Sequence, residues 1–320
     1  MKRGHIILAL AACAATVPAW PQSYPAKPIR LIVPFPPGAG TDVVSRVVAT
    51  RYSEASGHRI VVENRPGATG SIGLDAVAKS PPDGYTLGVL IVSHAVHAAV
   101  EPKLPYDLTR DFTPIIQFNT IPYVLVVNPT VPAKTVEDLV RIAKGKPGLL
   151  RYGSSGTGGV IHLAGAWLAS ATGTEMIHVP YKGNGPAITD LVGGRIDFII
   201  SNISSFAGFM KAQKLRALAV TSPKRVEQLP ELPTMQEAGI RDYAADGWYG
   251  LVGPSSLPPA VVSLLNGGIA TVLQHPETRA ALATDGSTAV GGTPKDFATH
   301  IATEVEKWRR IVQHAGIKIE

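Results

Sequence analysis

The sequence is poor in cysteine, with Cys13 as the single one among 320 residues. A disulfide framework or a cysteine-based metal site needs several cysteines, so the sequence excludes both. It also lacks a His-Glu-x-x-His helix and a Gly-Lys-Ser/Thr phosphate loop. The closest approach to the Gly-x-Ser-x-Gly turn of hydrolases, Gly153-Ser154-Ser155-Gly156, is one residue short. We therefore expect no metal, no cofactor and no catalytic nucleophile.

Long apolar runs and blocks of like charge are absent as well. Beyond the N-terminal segment, no stretch has the ~18 apolar residues that a transmembrane helix needs. The chain has 30 Lys and Arg against 24 Asp and Glu, and the basic residues are scattered. The sequence therefore predicts a soluble mature protein with a solvated basic surface and no nucleic-acid-binding patch.

The N-terminus is typical of an export signal. Residues 1–5 carry two basic side chains, residues 6–17 are apolar, and Val17-Pro18-Ala19 fits a cleavage site. We predict a signal peptide over residues 1–19. Leu10-Ala11-Ala12-Cys13 also resembles a lipoprotein cleavage box, which would place a lipid on Cys13. We rank this anchor second, because the segment before Cys13 is short.

The mature chain opens with a strand, a turn of small residues and a helix. Residues 29–33 predict a buried strand, and residues 43–49 predict a helix with Thr41 or Asp42 as its N-cap. The turn at 34–42 would let a ligand approach backbone N–H groups, and the helix dipole favours an anion there. An ordinary connection between strand and helix gives the same pattern, so both interpretations stay open.

Strands and helices alternate along the rest of the chain, which predicts two doubly wound α/β sets. A second small-residue turn at 153–159 again joins a strand (149–152) to a helix (160–169). Further strands are predicted at 59–63, 85–91, 123–127, 176–179, 197–200, 215–220 and 246–252. Further helices are predicted at 71–78, 136–144, 186–192, 206–212, 258–272, 276–285 and 294–315.

The two turns also resemble part of a dinucleotide-binding fingerprint. Gly38-x-Gly40 follows a strand, and Glu63 closes the next strand about 25 residues later. However, the third glycine position is Val43 in the first turn and Ile161 in the second. An exported dinucleotide-dependent oxidoreductase that uses Gly38-x-Gly40 is therefore the alternative function. A secreted structural or adhesive module is a third.

Five polar residues outside the turns have two interpretations each. His94 and His97 could form a metal pair, but polar residues after a strand end are the simpler interpretation. Lys182 and Asp190 could act on a ligand, but we favour the interpretation that both are solvated charges. His162 could face a ligand or the neighbouring strand, and the sequence does not separate the two.

Several segments, in order between about residue 27 and residue 254, together match one family pattern. They are Val33-Pro34-Phe35-Pro36-Pro37-Gly38-Ala39-Gly40-Thr41-Asp42, Val62-Glu63-Asn64-Arg65-Pro66-Gly67-Ala68 with Ile72-Gly73, Pro82-Asp83-Gly84-Tyr85-Thr86-Leu87, Tyr152-Gly153-Ser154-Ser155-Gly156, His162-Leu163-Ala164-Gly165, Val179-Pro180-Tyr181-Lys182-Gly183, Leu215-Arg216-Ala217-Leu218-Ala219-Val220-Thr221, and Arg225, Leu229-Pro230, Pro233-Thr234 and Glu237-Ala238-Gly239. In these segments the chain resembles the Bug-type (TctC-like) extracytoplasmic solute receptors of tripartite tricarboxylate transporters. Many members have two glycines where this chain has Gly38-Ala39, a departure that matters if the second position needs φ > 0.

The resemblance implies a fold of the periplasmic-binding-protein type II kind, with a ligand cleft between two α/β lobes. It helps to place the crossings between lobes near residues 123 and 246. Lobe 1 is then expected at 24–122 plus 246–320, and lobe 2 at 123–245. The resemblance also implies a periplasmic monomer that is not an enzyme, binds a small carboxylate, and presents it to membrane transporter subunits.

Ligand residues are carried over from the same resemblance. The carboxylate charge would be held by backbone N–H groups and ordered water, without an arginine clamp. The expected residues of lobe 1 are Phe35, Gly38, Ala39, Gly40, Thr41 and Asp42. Those of lobe 2 are Ser154, Ser155, Gly156, Thr157 and Gly158. Apart from the resemblance, we add His162, and also Asn202 and Ser204, because they follow the strand at 197–200 and the exposed ends of parallel strands often face a cleft.

Overall fold

A computed structural model describes residues 24–101, 103–284 and 286–314 of this chain. The predicted signal peptide at 1–19 and the cleavage box at Cys13 lie outside these residues. The described chain forms two β-sheets flanked by helices, so the predicted α/β class is confirmed. In the described ranges, no helix combines the length and the apolar character needed to cross a bilayer.

The elements follow one another in an alternating order. The strands are β1 (Ile29–Val33), β2 (Ile60–Asn64), β3 (Thr86–Ile91), β4 (Phe112–Ile121), β5 (Tyr123–Val127), β6 (Arg151–Ser154), β7 (Ile177–Pro180), β8 (Phe198–Asn202), β9 (Arg216–Val220), β10 (Gly247–Pro254) and β11 (Thr288–Gly291). The helices are α1 (Gly40–Ser56), α2 (Ser71–Ala78), α3 (Val92–Val100), α4 (Val136–Gly145), α5 (Val160–Thr172), α6 (Asn184–Val192), α7 (Ala207–Lys211), α8 (Pro259–Gln274), α9 (Pro276–Thr284) and α10 (Pro294–His314), with short 3₁₀ turns at Ala68–Gly70 and Ile203–Ser205.

The first sheet has the strand order β11-β4-β10-β3-β1-β2. Strand β1 is parallel to β2 and β3, whereas β10 is antiparallel to β3 and β4, and β11 is antiparallel to β4. The C-terminal ends of β1, β2 and β3 therefore share one edge with the end of β4 and the starts of β10 and β11.

The second sheet has the order β7-β6-β8-β5-β9. Strand β6 is parallel to β7 and β8, and β5 is antiparallel to β8 and β9. One residue, Pro122, separates the end of β4 in the first sheet from the start of β5 in the second. The ends of β6 and β8 thus lie at the edge where the chain crosses. The lobe limits themselves, 24–122 with 246–320 and 123–245, stay a prediction.

Two apolar clusters cover the faces of the first sheet. Helices α1 and α8 cover one face, where Val44 and Leu265 join the cluster that contains Ile29. The cluster on the other face includes residues of α2, α3 and α10 and continues into the second sheet. There Trp167 of α5 stacks on Tyr243 at 4.4 Å between ring centroids and meets Trp308 of α10 edge-on at 6.2 Å. We call these three residues the aromatic contact.

The sequence failed to predict three elements. Strand β4 contains Pro114 and the buried Asn119, whose Oδ1 accepts the Tyr249 N–H at 3.0 Å, and such residues hide the alternation of a strand. Helix α3 starts at Val92, directly after β3 ends at Ile91, with no turn residue between them. Strand β11 has only four residues. His94 and His97 accordingly lie after a strand end, on the helix that follows it directly.

Candidate functional site

The first glycine-rich turn joins β1 to α1 and is held from inside by Asp42. The Asp42 carboxylate accepts hydrogen bonds from the Gly38 N–H (2.9 Å), Arg46 Nε (3.0 Å) and Asn64 Nδ2 (2.8 Å). Burial alone would raise the pKa of Asp42, but the bonds from Arg46, Gly38 and Asn64 outweigh it and lower that pKa below its usual value. Asp42 is therefore a buried, ionised residue that fixes the shape of the turn.

Helix α1 starts earlier than predicted, and the predicted N-cap at Thr41 or Asp42 is wrong. The N-cap is Ala39 (φ −66°, ψ 154°), which supplies no side-chain cap. Thr41 and Asp42 lie in the first helical turn, because the Asp42 side chain reaches back to Gly38 instead of capping the helix. Positive φ falls on Gly38 (+82°) and not on Ala39, so alanine fits its position without strain.

The start of α1 leaves backbone donors open. Within the described ranges, the N–H groups of Gly40, Thr41 and Asp42 have no hydrogen-bond acceptor. The first N–H groups of a helix have no acceptor inside the helix, and at α1 no side chain accepts them instead. These three donors lie at the positive end of a 17-residue helix, where an anion is favoured.

Phe35 and His94 pack beside this turn. Their ring centroids lie 6.0 Å apart. His94 Nδ1 accepts the Ile91 N–H at 3.0 Å, and Nε2 faces Gly70, where a Cβ would approach it to 2.4 Å. Burial lowers the pKa of His94 to about 3, so the ring is neutral at physiological pH. His94 thus acts in packing; over the described residues, no group of His, Cys, Asp or Glu side chains could hold a metal.

The second glycine-rich turn, residues 154–158, follows β6 and leads to α5. Ser154 Oγ donates to the Gly156 carbonyl at 3.0 Å and accepts the Gly156 N–H at 3.2 Å. Gly156 and Gly158 have φ of +145° and +77°, which only glycine adopts readily. Ser154 is buried, whereas Ser155 and Thr157 are exposed. Of the predicted serine and threonine side chains here, Ser155 and Thr157 are the ones that a ligand can reach.

Two stacked imidazoles lie under this second turn. The rings of His162 and His178 are 3.7 Å apart at an angle of 14°. His162 Nδ1 accepts the Gly158 N–H at 3.1 Å, and His178 Nε2 lies 2.6 Å from Ser154 Oγ. Burial lowers the pKa of both rings, that of His178 to about 4. His162 and the Gly158 N–H therefore bind each other inside the protein.

A polar cluster follows β8. Asn202 Nδ2 donates to Ser204 Oγ at 2.7 Å, and its Oδ1 accepts from Ser205 Oγ at 2.8 Å. Asn184, at the start of α6, donates to Ser201 Oγ at 3.1 Å and Ser205 Oγ at 3.2 Å. The Asn184 Oδ1 atom is buried and finds no partner among the described residues.

The predicted ligand residues lie at one edge of each sheet. These two edges meet where the chain crosses from the first sheet to the second at Pro122. Ser154 and Asn202 end neighbouring parallel strands, and Asn202 is paired with Tyr123, the first residue of β5. A Cβ on Gly286, just before β11, would lie 3.7 Å from the Ser204 nitrogen. The Ser204 turn of the second sheet thus contacts a segment that leads into the first sheet.

In the described residues, the side chains of Asp190 and Lys182 form no hydrogen bond with either glycine-rich turn. Asp190 accepts from the Tyr181 hydroxyl at 2.8 Å and forms an ion pair with Arg195 at 2.7 Å. It is partly buried rather than fully solvated. Lys182 is exposed, as expected for a solvated charge.

Sequence reasoning missed several residues that shape the turns. These are Asn64, Arg46, His178 and Asn184. Asn64 is the last residue of β2, and polar residues at the C-terminal ends of parallel strands are a usable signal. His178 lies inside β7 and gave no such signal, because its role depends on the pairing of β7 with β6.

The sequence of this chain matches a family model and the sequences of known proteins. Residues 44–317 match the TctC family, described as "Tripartite tricarboxylate transporter family receptor". The protein BugT of Bordetella pertussis is 37% identical over 317 residues, which cover 98% of this chain and 97% of BugT. The family match covers the second sheet and every strand of the first sheet except β1.

Two solved structures of the same fold contain small carboxylates. The structure of R. palustris Rpa4515 with adipate has a TM-score of 0.78 and 35% identity, covering 92% of this chain and 99% of that one. MatC (Rpa3494) from Rhodopseudomonas palustris with bound malate has a TM-score of 0.75 and 27% identity, covering 90% and 100%. These matches give a dinucleotide-dependent oxidoreductase no support.

Proposed function

Because this chain belongs to the family of tripartite tricarboxylate transporter receptors, we propose that it binds a small carboxylate between its two lobes and presents it to membrane transporter subunits. The resemblance predicted from the sequence is thereby confirmed. The observation that carries the proposal is the start of α1, where three N–H donors at a positive helix end have no acceptor among the described residues. The adipate and malate bound to the two R. palustris proteins support the ligand class.

The proposed ligand geometry uses backbone groups first. One carboxylate accepts from the N–H groups of Gly40, Thr41 and Asp42, and the helix dipole stabilises its charge. From the second lobe, the exposed hydroxyls of Ser155 and Thr157 reach the ligand, with Asn202 and Ser204 beside them. A ligand that contacts both lobes favours the closed arrangement by its differential affinity for it.

Location and role follow from the same proposal. The export signal predicted at residues 1–19 and the family membership support a location outside the cytoplasm, and we propose the periplasm. The receptor acts there as a monomer, by binding without catalysis. The closed, ligand-bound form is the one that transporter subunits recognise.

A thermal-shift screen tests this function. Purified mature protein is heated with adipate, malate or citrate, and separately with NAD. We expect at least one carboxylate to raise the melting temperature, because a ligand at 100 times its Kd adds about 2.7 kcal/mol to the free energy of unfolding. A shift with NAD and with none of the acids would replace the receptor by the oxidoreductase, and no shift at all would favour a structural module.

A further inference from the structure

We propose that His162 and His178 are positioning residues for the second turn, and that they make carboxylate affinity sensitive to acid. The proposal deepens the proposed function and rests on it. It assigns to His162 a role behind the ligand-facing surface rather than a direct contact with the ligand.

The two histidines hold the two ends of one short loop. His178 Nε2 contacts Ser154 Oγ at 2.6 Å, where the turn begins, and His162 Nδ1 accepts the Gly158 N–H at 3.1 Å, where it ends. The exposed Ser155 and Thr157 lie between these anchor points. Because the rings stack at 3.7 Å, a shift of one ring moves the other. The pair therefore sets where the two exposed hydroxyls project.

The bond to Gly158 has a strict proton requirement. A backbone N–H can only donate, so His162 Nδ1 must carry a lone pair, and its proton lies on Nε2. Protonation at Nδ1 would set N–H against N–H and break this bond. The Ser154 hydroxyl can rotate, so it tolerates either tautomer of His178 and also its protonated form. The contact between His162 and Gly158 is thus the acid-sensitive one.

The surroundings leave the pair neutral near pH 7. Tyr152 of β6 lies against both rings, at 6.3 Å from His162 and 5.1 Å from His178. The remaining titratable groups in the groove beside His162 are the exposed Glu175 and His314. Burial is the main cause that lowers both histidine pKa values, and a charge on His162 would lower that of His178 further. When the pH falls, one ring of the neutral pair takes up a proton, and the hydrogen bond that holds the turn is lost.

Amide exchange tests the positioning role without any ligand. His162→Asn keeps an acceptor for the Gly158 N–H but cannot titrate, whereas His162→Leu removes the acceptor. We expect the Gly158 amide to exchange with solvent at a similar rate in the wild type and in His162→Asn at pH 7. In His162→Leu it should exchange about tenfold faster, since a lost hydrogen bond of ordinary strength corresponds to about that factor. Equal exchange in all three proteins would refute the positioning role.

Calorimetric titration with adipate and with malate, at pH 7.5 and pH 5.5, tests the acid sensitivity. Protonation of the ligand weakens binding equally in all variants. We expect the wild type to lose about two- to fivefold more affinity on acidification than His162→Asn does, because burial holds the pKa of His162 below its usual value and limits how far the ring is protonated at pH 5.5. His275→Asn, which changes an exposed histidine after α8, is the matched control and should behave as the wild type. Equal losses in the wild type and His162→Asn would overturn the acid sensitivity.

The two experiments separate this proposal from the function on which it rests. If neither adipate nor malate binds at either pH, the receptor proposal fails for these acids, and the claim on affinity fails with it. The amide-exchange result still decides whether the histidines hold the turn.

Discussion

Gly156 has a backbone conformation that allows the proposed binding role of the second turn to be tested separately from folding. Its φ of +145° is strained for any other residue, yet a Cβ there would meet nothing closer than the Tyr181 carbonyl oxygen at 3.8 Å. A larger side chain therefore has space but forces the backbone of the turn into another conformation. Ser155 and Thr157, on either side, would move with it.

We predict that Gly156→Val abolishes the stabilisation by adipate or malate while the ligand-free protein still unfolds cooperatively, as measured by thermal unfolding with and without ligand. The strain should cost about 1–3 kcal/mol in the ligand-free protein. Gly267→Val in α8 is the matched control, because Gly267 has open space and no positive φ. A full ligand shift in Gly156→Val would remove the second turn from the site.

The sequence reveals some of the residues that form or support the two turns and leaves others unrecognised. The glycines and hydroxyls of both turns are visible because they are contiguous and lie between a strand and a helix. Asn64 and His178 act on turns that lie 22 and 24 residues away in sequence. Their roles depend on strand register, which a single sequence leaves open.

At the scale of the element, α1 and α4 begin in opposite ways. Helix α4 has Thr135 as its N-cap and a reciprocal bond with Asp138, a capping box that satisfies its first donors. Helix α1 has Ala39 at the equivalent position and leaves its donors open. The uncapped helix is the one that we propose holds the ligand, so the missing cap is part of the site.

We predict that Ala39→Ser stabilises the protein and weakens ligand binding. A serine at the N-cap would accept the Asp42 N–H and raise the free energy of unfolding by about 1 kcal/mol. The same bond withdraws a donor from the carboxylate and should raise Kd severalfold, as measured by urea unfolding and calorimetric titration. Thr135→Ala is the control for capping alone: it should lower stability by about 1 kcal/mol and leave Kd unchanged. Tighter binding in Ala39→Ser would contradict the proposed role of these donors.

Two of the elements that sequence reasoning missed lack a local sequence signal. Strand β4 carries buried polar residues such as Asn119 that bond within the sheet, and α3 follows β3 without a break. In β4 a contact with β10 satisfies a polar group that a local pattern assigns to a loop, whereas α3 lacks the turn residue that would mark its start. The long amphipathic α10 and the capped α4 depend less on such contacts and were predicted closely.

For the whole molecule, buried neutral histidines predict a loss of stability in acid. Burial lowers the pKa of His94 to about 3 and that of His178 to about 4. Below pH ~6.5 the unfolded chain takes up protons that the folded protein refuses, so the free energy of unfolding falls as the pH falls. Burial raises the pKa of Asp246 to about 6, which acts in the opposite direction, since the folded state then binds that proton first.

We expect the free energy of unfolding to be about 2 kcal/mol lower at pH 5 than at pH 7, because two histidines outweigh one carboxyl group. Urea unfolding at the two pH values measures the difference. Asp246→Asn removes the opposing contribution and should make the fall larger. Greater stability of the wild type at pH 5 would show that these pKa shifts do not govern its pH dependence.

The aromatic contact between α5 and α10 has a consequence for how ligands can be detected. Of the tryptophans in the described residues, Trp167 and Trp308 form this contact and Trp248 lies beside it, 4.9 Å from the His300 ring of α10. They lie with α10, on the face of the first sheet opposite α1. Trp167 belongs to the predicted lobe 2 and Trp308 to the predicted lobe 1, so closing of the lobes on a carboxylate would move one indole relative to the other. Intrinsic fluorescence should then report closure even though the carboxylate itself enters at α1, and a ligand screen can be read optically without a label.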